Sequence, residues 1–202
     1  MTDKSAHTQV PIHELLATRW SPRAFADKAV EPEKLLALLE AARWAASCFN
    51  EQPWSYFVAH REDKAAYEQL FSCLVPGNQS WVKAAPVLLL SVAKTHFAYN
   101  DQLNRHAGHD VGLATANLTI EATALGLSVH QMAGFDAAKA RERLQIPDDY
   151  EPMAMIAIGY RGAPDVLPEA LQEKELAPRT RKPLKEFVFT AQWGHSADLV
   201  KK

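Results

Sequence analysis

The chain has 202 residues, 48% of them hydrophobic and 23% charged, with a formal net charge of -2. That apolar share can bury a sizeable core, and the length predicts one domain, residues 1–202, with a C-terminal extension over about 163–202. A balance so close to neutral gives no pull toward nucleic acid or an acidic membrane, and no apolar run approaches the roughly 20 residues that span a bilayer.

Residues 1–16 carry no apolar stretch of signal-peptide length, so a soluble, non-secreted, cytoplasmic protein is expected. Cys48 and Cys73 form no CxxC pair and are expected to be reduced thiols; four-cysteine zinc is excluded by count. There is no internal repeat and no low-complexity segment.

Pro11 to Leu16 predicts a short helix that ends near the Ser21-Pro22 turn, because a residue before proline avoids the helical region. Glu31-Pro32 opens a second helix, whose Leu35, Leu38, Leu39 and Ala42 follow helical spacing and which should end around Ala46–Phe49. Trp54 to Ala59 is aromatic and β-branched and reads as a strand; Glu62 to Leu74 reads as an amphipathic helix, and Pro76-Gly77-Asn78 as a loop. Val87 to Val92 is a near-continuous apolar strand, as suits burial on both faces.

A long helix is predicted from Leu103 to Leu125, about 35 Å at 1.5 Å per residue. From Val111 onward it is apolar on most of its circumference, so burial against a partner subunit is expected. Gly126 ends it. Ser128 to Met132 is a strand, Ala137 to Leu144 a helix with Asp136 as N-cap, and Met153 to Tyr160 a strand. The proline- and charge-rich stretch from Gly162 to Leu184 predicts a surface arm. Phe187 to Thr190 predicts a last strand that could pair with a partner's sheet. Strands mixed with unequal helices, without regular βαβ alternation, predict an α+β fold: a mixed or antiparallel sheet flanked by helices.

Four clusters could carry chemistry. Arg19-Trp20-Ser21-Pro22-Arg23 places two planar donor forks and a hydroxyl around a proline-fixed turn, which can hold an oxyanion such as phosphate. Ala46-Ser47-Cys48-Phe49-Asn50-Glu51-Gln52 supplies amides whose paired donors and acceptors suit a flat heterocycle. Gly134 follows a strand end, where a ligand can approach the backbone. Arg179-Thr180-Arg181-Lys182 is a second basic patch, able to share one phosphate with the first. Each cluster alone also fits an ordinary helix end, turn or solvated linker. His106 and Asp110 lie four apart on one helix face, but no third ligand accompanies them, so no metal site is expected. Neither a Rossmann turn, a P-loop nor a GxSxG elbow is present.

Taken together, the clusters resemble the nitroreductase family. Arg19 to Phe25 is similar to its R-x-S-x-R-x-F signature, and Ser47 to Trp54 to its S-S-x-N-x-Q-P-W loop. The stretches 78–86, 110–127 and 134–136 follow in the family's order, and Arg179 to Phe189 resembles its R-x-R-K-P-L-x-E-F-V-F tail. The resemblance implies an intertwined homodimer with two FMN sites at the subunit interface and a C-terminal strand exchanged between copies. It implies that Arg19, Trp20, Ser21 and Arg23 contact FMN, that Asn78 faces the pyrimidine edge, and that Arg179 and Arg181 hold the phosphate. Ala46, Ser47, Cys48 and Asn50 would come from the other subunit, and Ala133-Gly134 would offer a backbone N–H near the hydride-accepting nitrogen. Phe49 and Trp81 are the expected walls of a substrate pocket. Several members carry Glu where Ala133 stands and some carry Lys where Trp81 stands, differences that bear on substrate range and redox tuning.

The activity implied is reduction of nitroaromatics, quinones or similar electron-poor small molecules with NAD(P)H, by hydride transfer through the flavin in a ping-pong scheme. No catalytic side chain is required. The residues leave other readings open: a flavin carrier or sensor without turnover, a specialised chemistry within the family, and a flavin-free enzyme that uses the same arginines on a phosphate ligand.

Overall fold

The computed structural model describes residues 4–201; residues 1–3 and 202, part of the predicted domain, lie outside the described residues. Four strands form one antiparallel sheet in the order β1-β2-β4-β3: β1 (Trp54–His60), β2 (Val87–Lys94), β3 (Ser128–Met132) and β4 (Tyr150–Gly159). β2 and β4 are central, and every residue of β2 from Val87 to Ala93 is buried. Alternate side chains feed opposite faces, as the period of two requires. Leu88, Leu90, Met155 and Ala157 pack beneath α3 (Lys64–Phe71), α4 (Pro76–Val82) and α6 (Ala137–Leu144). Val87, Leu89, Ile156 and Ile158 pack against α2 (Pro32–Arg43) and α5 (Ala107–Ala124). The predicted α+β class is the one observed, with the sheet antiparallel throughout.

Several boundaries depart from the sequence reading. Helix α1 (Glu14–Thr18) starts three residues beyond Pro11, because His13 caps it and its Nδ1 accepts the Leu15 N–H at 3.2 Å. Helix α2 stops at Arg43, short of the expected end, and Ser47 is already extended. The predicted loop at Pro76-Gly77-Asn78 is instead the first turn of α4. Pro76 sits at the helix start, where its missing N–H costs nothing, and Trp81 and Val82 anchor the far end in the core. Helix α5 begins at Ala107 rather than Leu103, since Leu103 pairs with His96 and Asn104 Oδ1 accepts the His106 N–H at 3.0 Å. Gly126, with φ +74°, lets the chain turn back after α5 so that Leu127 N–H reaches the Ala122 carbonyl at 2.7 Å.

Within one chain α5 is buried along one side only. Val111, Ala114, Leu118 and Ala122 face the sheet, while Gly112, Leu113, Ala116 and Ala124 are exposed. The expected all-round burial is therefore absent from the single chain.

The C-terminal segment is more ordered than a surface arm. It forms α7 (Glu169–Leu176), whose buried residue is Glu175, and Leu167 enters the core beside it. Phe187 to Thr190 is not a regular strand. Leu184–Glu186 makes a short 3-10 turn, Phe189 pairs with Ser196 and Thr190 N–H donates to His195 O, so this stretch closes locally on its own chain.

Candidate functional site

Two basic stretches far apart in sequence meet at one cleft. Helix α1 ends with Arg19 as its C-cap, whose N–H donates to Leu15 O at 3.2 Å. Arg19 Nη1 donates to Ser21 Oγ at 3.3 Å. Arg179 Nη1 donates to Ala17 O at 2.9 Å and also to Lys4 O, which ties the C-terminal segment to the end of α1. Arg181, exposed, donates to Thr180 O at 2.7 Å. Arg19, Arg179, Arg181 and Lys182 line a cleft of about 780 Å³, with Ile12, Leu16 and Phe187 as apolar wall. No carboxylate lies among its described lining residues. Burial holds the Arg19 guanidinium below its ordinary pKa, and the charges of Arg179 and Arg181 push it the same way. Three cations within electrostatic reach of one another, with no anion between them, form a site that gains by taking up an anion.

The residues after Arg19 do not line this cleft. Two cations approach the Trp20 ring, Lys4 Nζ at 5.3 Å and the Arg161 guanidinium at 4.8 Å from its centroid. Pro22 is buried, and its carbonyl is 2.9 Å from His130 Nδ1. Arg23 and Ala24 donate their backbone N–H groups to the carboxylate of Glu175.

A second group sits where β3 ends. Asn78, on α4, donates Nδ2 to Gly134 O at 2.9 Å, and the Val75 N–H donates to the same carbonyl at 3.1 Å. A methyl group on Gly134 would lie 2.6 Å from Asn78 Nδ2 and 3.0 Å from Val75 Cγ2, so the position admits only glycine without a shift. Ala133, exposed, closes the tight turn by accepting the Phe135 N–H at 3.0 Å. Trp81, expected as a pocket wall, is 3% exposed in the single chain and packed against Phe25 and His130. The indole is large and apolar, and the turn of α4 aims it at the core instead of at solvent.

The loop between α2 and β1 forms a third group. Phe49, Asn50 and Gln52 have φ values of 51°, 58° and 52°, left-handed conformations that non-glycine residues adopt at a cost. The fold holds them there through side-chain bonds. Ser47 Oγ accepts the Gln52 N–H at 3.0 Å, Gln52 Nε2 donates to Asn50 O at 3.1 Å, and buried Asp110 Oδ2 accepts the Cys48 N–H at 3.0 Å. Ala46, Ser47 and Cys48 line a hollow of about 280 Å³ with His109, Asp110 and Leu113. Phe49 is 78% exposed and meets Phe97 and Tyr99 edge-on at 6.0 and 6.1 Å. The hollow and the arginine cleft share no lining residue.

The profile of the nitroreductase family matches residues 16–160. The chain belongs to the nitroreductase family. Membership places it among the oxidoreductases. A crystal structure of an oxidoreductase containing FMN superposes on this nitroreductase with a TM-score of 0.90 and 33% identity, covering 97% of this chain and 100% of that one. A nitroreductase family protein of Clostridium difficile 630 superposes with a TM-score of 0.68 at 27% identity, over 88% of this chain and 96% of that one. A Stenotrophomonas maltophilia protein with the provisional name NADH dehydrogenase/NAD(P)H nitroreductase is 28% identical over 177 residues, 78% of this chain and 88% of its own.

Of the residues singled out in the sequence, the nitroreductase fold brings together Arg19, Ser21, Arg179 and Arg181 at one place and Asn78, Ala133 and Gly134 at another. Ala46, Ser47, Cys48, Phe49 and Asn50 stand apart on the third. Sequence reasoning missed Glu175, which reads there as one acid among several in an EALQEKEL stretch. It took Asp110 only as half of a doubtful metal pair, and overlooked Phe97 and Tyr99, whose sole signal was two aromatics in a polar loop.

Proposed function

We propose that this nitroreductase binds FMN between two copies of the chain and uses NAD(P)H to reduce nitroaromatics, quinones or similar electron-poor small molecules. The carrying observation is the convergence of Arg19, Arg179 and Arg181 on a cleft without a lining carboxylate. A phosphate monoester with roughly two negative charges offers the counter-charge those guanidiniums lack, in bidentate geometry. Gly134 carries no side chain at the strand end, which lets a flat ring approach the backbone. FMN, when bound, supplies the redox chemistry, taking hydride from NAD(P)H and passing the electrons to the acceptor in a ping-pong scheme.

The chain's own residues then bind and orient. Arg19, Arg179 and Arg181 hold the phosphate, with Ser21 fixing the Arg19 fork. Asn78, its amide oriented by Gly134 O, would face the pyrimidine edge, and Gly134 would offer its backbone N–H near the hydride-accepting nitrogen. Arg23 adds positive charge that favours an anionic reduced ring. Ala46, Ser47, Cys48 and Asn50 of the second copy complete the site, and Phe49 walls the acceptor space.

The homodimer is supported by the apolar stripe that α5 leaves open, Leu113, Ala116 and Ala124, and by the separation of the arginine cleft from the 46–48 hollow on one chain. A neighbour that contains FMN and a relative named for NAD(P)H support the cofactor and the reductant.

The test is an absorbance spectrum of the purified protein with FMN, followed by anaerobic bleaching with NADH and with NADPH, and sedimentation of the same sample. A yellow dimer bleached by a nicotinamide is expected. Protein that takes up no FMN overturns the reading, and a monomer that retains FMN overturns the shared site.

A further inference from the structure

We propose that Glu175 is a positioning residue: its buried carboxylate clamps the backbone of Arg23 and Ala24 and so presents the Arg23 guanidinium to the flavin ring. The proposal rests on the FMN reading above and adds a residue outside the stretch matched by the family profile, which ends at residue 160.

Helix α7 buries an acid. Its one buried residue, Glu175, is 2% exposed, while the neighbouring Leu176 is 49% exposed. Leu171 of the same helix packs against the core, so apolar contact accounts for part of the docking and leaves the buried acid to be explained. Burying a carboxylate is costly unless hydrogen bonds meet it, and here they do. The Arg23 N–H donates to both oxygens, at 3.0 and 3.1 Å, and the Ala24 N–H to Oε1 at 3.2 Å. Lys4, also buried, caps the end of α7 by donating Nζ to Ala177 O at 2.7 Å, and the charge of Glu175 acts on that ammonium.

The loop is fixed on its other sides too. The Pro22 carbonyl meets His130 Nδ1 at 2.9 Å, and the Ala24 carbonyl accepts the Gly162 N–H at 2.8 Å. Among the described residues the Arg23 guanidinium makes no hydrogen bond or ion pair, although its backbone is held from three directions. A rigid backbone under a spare cationic fork is what pre-organised recognition of a ring oxygen requires.

The experiment is fluorescence titration of FMN with wild-type protein, E175Q, R23A and the double variant. Gln keeps the shape but turns a donor toward N–H groups that need acceptors. E175Q should weaken FMN binding roughly 10- to 100-fold, the range of a charge-assisted contact, and should cost less than about 2-fold more once Arg23 is already Ala. Equal affinity of E175Q and wild type overturns the proposal. So does an undiminished loss in the R23A background, which is the signature of a merely structural acid. Should E175Q not fold, E175D retains the charge one methylene short and should lose affinity through the same Arg23-dependent coupling. An E175D loss independent of Arg23 overturns the proposal equally. Wild-type protein that fails to quench FMN would bring down the cofactor reading itself, a result distinct from failure of the clamp alone.

Discussion

Asn78 and Gly134, from α4 and from the end of β3, are joined by a 2.9 Å hydrogen bond that leaves no room for a side chain at position 134. Gly134→Ala should therefore act through Asn78. The new methyl displaces the amide, loses a bond worth about 1 kcal/mol and adds overpacking of about 1–3 kcal/mol. Urea denaturation should show a lower midpoint at unchanged slope, and FMN titration a weaker complex. Wild-type FMN affinity in this variant would separate the Asn78–Gly134 pair from the cofactor.

Arg179 and Arg181 of the cleft should differ in what their loss costs. Arg181 is exposed and bonds only to a neighbouring carbonyl, so Arg181→Ala should leave the melting temperature of the apoprotein unchanged while weakening FMN about 3- to 10-fold. Arg179→Ala should do both, because Arg179 also joins the C-terminal segment to Ala17 and Lys4. Riboflavin, which lacks the phosphate, should bind the variants and the wild type alike, and added salt should narrow the gap for FMN. A loss as large for riboflavin as for FMN would remove the arginines from the phosphate.

His130 makes stability depend on pH. Burial lowers its pKa from the ordinary value of 6.5, more than the Pro22 carbonyl raises it, and the charge of Arg23 lowers it further. The unfolded chain therefore binds a proton more readily than the fold does. This residue's contribution is complete above pH 6.5 and erodes as pH falls below that value, until the buried ring protonates as well. Denaturation midpoints should fall between pH 7.5 and 5.5, and His130→Gln, which keeps a donor for Pro22, should flatten that slope. An unaltered slope in His130→Gln would assign the effect elsewhere.

Trp81 is expected to matter for stability and not for the choice of acceptor. Its ring is buried between Phe25, 6.3 Å away and stacked, and His130, 4.7 Å away. Trp81→Ala should cost about 3–5 kcal/mol and Trp81→Phe less. The ratio of rates with two acceptors of different size should not change in Trp81→Phe, whereas Phe49→Ala should shift it.

The sheet strands and α2, α3, α5 and α6 were legible because their apolar residues recur with the period of the element that buries them. Val87 to Val92 read as a strand covered on both faces, and Asp136 announces α6 by capping Lys139 N–H at 2.9 Å. The start of α4 was not legible, since Pro-Gly-Asn serves a turn as well as a helix entry and only the anchoring of Trp81 and Val82 decides between them. The candidate site divides the same way. Its arginines, amides and glycine stood out as residue types. Their partners Glu175 and Asp110 did not, because an acid in a polar helix looks the same in sequence whether it meets water or a backbone N–H.

The sequence by itself determined the composition of the site and the order of the elements that carry it, since both are local properties of residue type and spacing. Tertiary structure alone decided that Arg19 and Arg181 share a cleft, that Trp81 belongs to the core and that Glu175 grips the Arg23 loop. Those outcomes depend on hydrogen bonds and packing between segments more than a hundred residues apart in two of the three cases, and spacing along the chain carries no record of such distances.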